Sequence, residues 1–189
     1  MTDGFRRTAT GRIVVRLDAH EKALLTTLAE QLLDSVAPPT NVHADPLAVE
    51  LGLEDLDTGV DLSGMGLLED RDPVTQRLFP DAYEQPAEAM EFRRFTEMGL
   101  RQAKTAAART MLDSCHSSGE KITLNRNQAM AWLTALNDMR LALSVRLGIE
   151  TTADVERLAE EPVDDETRTT YHVYDYLAFL QETLVRAVS

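Results

Sequence analysis

A chain of 189 residues fits one domain, and a domain of that length buries roughly 70% of its extended surface, so it needs neither a metal nor a disulfide to fold. Apolar residues make up 43% of the chain and aromatic residues 5%, so the core must come from Leu, Ala, Val and Met, a helix-favouring set. The formal net charge of −13 opposes the positive field that binding to a phosphate backbone requires, which disfavours direct DNA binding.

The single cysteine, Cys115, has no partner for an intramolecular disulfide, which suits a reducing compartment. The opening "MTDGFRRTATGRIVVRLD" has no apolar h-region, and no run reaches the ~18 apolar residues of a membrane span. The expectation is a cytoplasmic protein without membrane association.

In chain order, "GRIVVRLD" (11–18) reads as a short strand from its β-branched run Ile13-Val14-Val15. Asp18 with Glu21 is the pattern of a capping box, and Leu24, Leu25, Leu28, Leu32, Leu33 and Val36 give the following helix one apolar side. Pro38-Pro39 ends it. Residues 40–85 read as an irregular acidic insertion within the single domain spanning 1–189, with one short amphipathic helix expected at 45–56 and one or two further turns at 72–79. Pro86 suits the first turn of a long helix running to about Ser117. Lys121–Leu124 offers a second strand, and two short strands in a helical chain most simply pair as a two-stranded ribbon. Asn125 and Gln128 form a second capping box, opening a helix that ends at Gly148. Thr151 or Thr152 caps a short helix through Leu158. The last helix starts near Asp164 or Asp165, with Val173, Leu177, Leu180, Leu184 and Val188 as its buried stripe.

Charge is uneven along the chain. Residues 45–72 carry nine carboxylates against Arg71 alone, whereas the helix from 86 presents Arg93, Arg94, Arg101, Lys104 and Arg109 over about half its wheel. The opposite side holds Phe92, Phe95, Gly99, Leu100 and several alanines, small enough in part for a neighbouring helix to approach closely. The basic side is either a solvated face neutralised by nearby carboxylates or a docking surface for an acidic partner, covered by the 45–72 segment at rest.

Candidate chemistry is sparse. Cys115 is a candidate redox residue, but a helix C-terminus disfavours thiolate, and an ordinary small residue at a helix end is the preferred reading. None of His20, His43, His116 and His172 lies in a metal-ligand spacing, and no GxSxG, P-loop or GxGxxG occurs, so no catalytic residue, metal or cofactor is assigned. The segment "AWLTALNDMRLALSVRLG" (131–148) is apolar nearly all round, which marks a central helix. Within it Asn137, Asp138 and Arg140 point in different directions, so each needs partners on other helices; Glu91, Glu97, Tyr174, Asp175 and Glu182 are candidates. The preferred reading is structural polar ties that fix helix register, and the alternative is a polar pocket at the helix junction.

The segments "RLFPDAY" (77–83), "EFRRFTEMGLRQAK" (91–104), "AWLTALNDMRLALSVRLG" (131–148) and "YDYLAFLQETLVRA" (174–187) resemble, in that order, an actinobacterial family labelled as a domain of unknown function. Some members carry the label oxidative stress transcriptional regulator, encoded near a Clp adaptor and genes for a sulfur-carrier route to cysteine. The resemblance implies a cytosolic regulator acting through a sigma factor or RNA polymerase. It supplies no catalytic residues, and a disulfide switch does not carry over to a chain with one cysteine.

The expected fold is thus mainly α: a single-domain helical bundle around a central helix, with a minor two-stranded β ribbon. The expected function is a non-enzymatic regulatory protein using protein partners, with Arg93, Arg94, Arg101, Lys104 and Arg109 as the contact surface. An enzyme of unknown type and a homodimer are the alternatives.

Overall fold

A computed structural model describes residues 3–37, 72–160 and 163–189, with the side chains of Pro86 and Arg94 excepted. Residues 38–71, with His43, the helix expected at 45–56 and most of the acidic stretch, lie outside the described residues.

Strands β1 (Arg6–Arg7), β2 (Ile13–Arg16) and β3 (Lys121–Leu124) form one antiparallel sheet in the order β1-β2-β3. The β2–β3 pairing was expected, and its register joins Ile13 to Leu124 and Arg16 to Lys121. The ribbon is corrected to three strands, because Arg6 and Arg7 add an edge opposite Val14 and Ile13. The cause lies outside β1 itself. Gly11, at φ 77°, turns the chain back between Thr8 and Arg12, and only a residue tolerant of the left-handed region takes that turn without strain. Phe5 then sinks to 4% exposure, its ring edge-on to Trp132 at 5.5 Å, and its N–H donates to Thr183 Oγ1 at 3.1 Å.

Helix α1 (Ala19–Val36) opens with the expected box: Glu21 N–H donates to Asp18 Oδ1 and Asp18 N–H to Glu21 Oε2, both at 2.9 Å. Helix α2 (Pro73–Leu78) is capped by Asp72, and α3 (Pro86–Cys115) begins at proline without a side-chain cap. Helix α4 (Arg126–Leu147) starts on the Asn125–Gln128 box and stops at Gly148, whose φ of 63° lets Ile149 N–H reach Ser144 O at 2.8 Å. Helix α5 (Thr152–Glu160) and α6 (Asp165–Val188) complete the chain.

The fold is mainly α and α4 is its centre, touching α1, α2, α3 and α6. Its stripe Trp132, Ala135, Leu136 and Met139 is buried to 2% exposure or less. Leu177, Leu180 and Leu184 of α6 meet it from one side, and Leu25, Ala29, Ala108 and Met111 of α1 and α3 complete the same cluster. A smaller cluster of Leu147, Ile149 and Leu158 seats α5 beside Tyr171 and Tyr174. Among the described residues no helix is long and apolar enough to cross a membrane.

Candidate functional site

The basic residues of α3 divide by direction. Lys104 Nζ lies 2.7 Å from Asp138 Oδ1, with side-chain exposures of 15% and 2%, so the pair is a tie between α3 and α4. Burial pushes the Asp138 carboxyl above its usual range, and the Lys104 ammonium opposes that shift without cancelling it. Arg101 is held on three sides. Its Nε and Nη2 donate to Glu97 Oε1 at 2.9 and 2.7 Å, and its Nη1 donates to Val36 O and Ala37 O at 3.1 and 2.7 Å. Its guanidinium also stacks 4.5 Å over the Phe79 ring. Arg101 therefore caps the carbonyl end of α1, where cations are favoured by the helix dipole. Arg93 Nε sits 3.3 Å from Asp81 Oδ1. Arg109 is exposed, and the Arg94 side chain lies outside the described residues.

Three of the five cations expected to form a contact surface, Arg93, Arg101 and Lys104, thus have partners within the chain itself. Lys104, Arg101 and Arg93 point at the body of the protein, because a buried carboxylate, the orphan carbonyls of α1 and the aromatic face of Phe79 need cations there. The side expected to receive a neighbouring helix is instead open. Phe95 is 80% exposed, Met98 60%, Leu100 48% and Phe92 42%, and Gly99, Ala103 and Ala106 are exposed beside them.

Two of the three polar residues of α4 tie it to other helices, Asp138 to Lys104 of α3 and Arg140 to α6. Arg140 Nη1 donates to Gln181 Oε1 at 2.6 Å and Nη2 to Tyr174 Oη at 3.1 Å, joining α4 to α6; of the expected partners only Tyr174 is met. Asn137 is exposed. Together Asn137 and Arg140 border an open cleft of about 700 Å³ whose rim also carries Arg77, Glu150, Tyr174 and Asp175, charges of both signs with no shared target. Among the described residues no three His, Cys, Asp or Glu side chains converge as a metal site.

Cys115 is buried in the core on the last turn of α3. Desolvation raises its thiol to about 11, only partly countered by Lys22, so the group is a protonated thiol at neutral pH.

These features define a small, mainly α protein whose ionisable groups tie helices together and whose most distinctive surface is an uncovered apolar side of α3. The chain belongs to the family described as "Domain of unknown function (DUF2017)", which matches residues 2–188. A relative from Mycobacterium leprae, named putative oxidative stress regulator AosR, is 31% identical over 183 residues, covering 89% of this chain and 79% of its own length. Relatives from Mycobacterium bovis and Mycobacterium tuberculosis, named oxidative stress regulator AosR, are 34% identical over 128 residues, 60% of this chain and 57% of theirs. No solved structure matches the chain.

Proposed function

We propose that this chain is a non-enzymatic, stress-linked regulator that works by protein contact, with a sigma factor or an RNA polymerase subunit as its partner. The observation that carries the reading is the near-full-length similarity to a relative named for oxidative stress regulation. Two features agree with it. The acidic balance of −13 suits contact with protein better than with DNA, and the cleft beside Arg140 lacks a convergent set of titratable groups. The buried, high-pKa Cys115 directs the sensing role away from this thiol, so the stress signal reaches the chain through its partner or its abundance.

The test is affinity capture with the tagged full chain from lysate of its own host, with and without oxidant. Direct titration of the purified full chain against each captured transcription subunit follows. Saturable binding to a sigma factor or polymerase subunit supports the reading. Failure of purified subunits to bind under both conditions overturns it.

A further inference from the structure

The open side of α3 follows a regular spacing. Phe92, Phe95, Gly99, Gln102, Ala106 and Arg109 recur every three or four residues, the repeat of a helix face that seats against another helix. Around Gly99 an added Cβ would meet nothing within 4 Å, so a second backbone can come close there. Large side chains stand N-terminal of that point and small ones C-terminal of it. Tyr83, 47% exposed, meets the Phe92 ring edge-on at 5.6 Å and extends the aromatic end. An apolar strip of this extent on a charged, soluble-type surface marks a contact site.

The strip is complementary to itself. Turned end over end about Gly99, a second copy of α3 brings Phe95 onto Ala103 and Phe92 onto Ala106, ring against hollow in each layer. A twofold axis of this kind also brings residues on the same flank of the two helices together. Glu91 and Arg109 lie on one flank, both exposed, on opposite sides of Gly99 at distances along the helix that differ by about 3 Å, roughly half a turn. The axis therefore sets Glu91 of one copy beside Arg109 of the other, twice. Two copies turned the same way would stack Phe on Phe and Ala on Ala, leaving gaps in half the layers.

We propose that this chain forms a homodimer by antiparallel, twofold packing of the Phe92–Arg109 face of α3 against the same face of a second copy. The contact runs along roughly 25–30 Å of helix at 1.5 Å per residue, near the low end of stable interfaces, so the association depends on concentration. The inference stands apart from the proposed regulatory role and survives its failure.

The test is sedimentation velocity of the full chain over about 1–100 µM, a range that brackets weak self-association. The wild-type chain should shift from monomer to dimer, and Phe95→Glu should stay monomeric with an unchanged circular dichroism spectrum, since Phe95 makes little contact within one copy. Glu91→Arg and Arg109→Glu alone should each weaken the dimer by about fivefold or more, and the two together should restore it. A monomer throughout the range overturns the proposal. So does a dimer indifferent to Phe95→Glu, or single charge reversals that the double reversal fails to rescue.

Discussion

Replacing Lys104 with Met keeps the length of the side chain and removes its charge. Asp138, with its side chain 2% exposed, then stands in the interior opposite a thioether. Removing one partner of a buried pair costs about 3–5 kcal/mol; Lys104 retains 15% exposure, which places the expected loss near 3 kcal/mol. With a urea m-value of about 2–3 kcal/mol/M, the midpoint should fall by roughly 1–1.5 M. The pH dependence carries the sign. Asp138 already titrates above its ordinary 3.8 because burial disfavours the anion, so its share of stability is full below that value and is lost as pH rises through the higher folded value. Without Lys104 the folded carboxyl rises further and the window widens upward. The deficit of Lys104→Met relative to wild type should therefore be largest at neutral pH and shrink on acidification toward pH ~5. Adding Asp138→Leu should recover most of the loss, since an apolar pair leaves no buried charge. Urea titrations at two pH values decide the matter. A deficit below about 1 kcal/mol, or one that grows on acidification, refutes the account of this pair as a buried tie.

Arg101→Ala removes the cap on α1 and the cation over Phe79 together, and should cost about 1–3 kcal/mol in a thermal or urea melt; Arg101→Lys should recover only part, because one ammonium lacks the planar fork. Gly4→Ala should destabilise by about 1–3 kcal/mol, since Gly4 has φ 72° and a Cβ there would meet Thr183 Cγ2 at 2.7 Å. Gly99→Ala, in an open helix interior, should raise stability by up to about 1 kcal/mol when measured at concentrations where the chain is monomeric. Cys115 should react with a thiol reagent such as Ellman's reagent far more slowly in the native protein than in urea, and rapid native labelling at neutral pH contradicts its burial.

Local rules carried most of the fold into view. Asp18 with Glu21 and Asn125 with Gln128 mark helix starts because the bonds they make span three residues. The stripe Leu177, Leu180 and Leu184 reads directly as a buried face because burial and periodicity coincide there. Helix α3 shows where this reasoning stops. Its wheel separates a basic side from an apolar side, and the usual preference for apolar residues inside fails over its first half, where Phe92, Phe95, Met98 and Leu100 are exposed, though Ala107, Ala108 and Met111 are buried further on. The inward pull on Lys104 and Arg101 comes from Asp138 and from the carbonyls of Val36 and Ala37, which lie 34 and about 65 residues away. No periodicity within α3 encodes partners at that separation. Strand β1 was illegible for a related reason. Two arginines have no apolar alternation, and their place is set by Phe5 finding Trp132 and Thr183.

That last contact bears on how the molecule is made. Phe5 donates its N–H to a hydroxyl 178 residues further along the chain. At about 5–20 residues per second, a ribosome needs roughly 10–35 s to synthesise the stretch between them. Throughout that interval the first strand has neither its ring partner in full position nor its acceptor, and its edge stays available to chaperones. Docking of Phe5 through this bond must therefore await the synthesis of α6, and a stall before α6 leaves the β1 edge without that anchor.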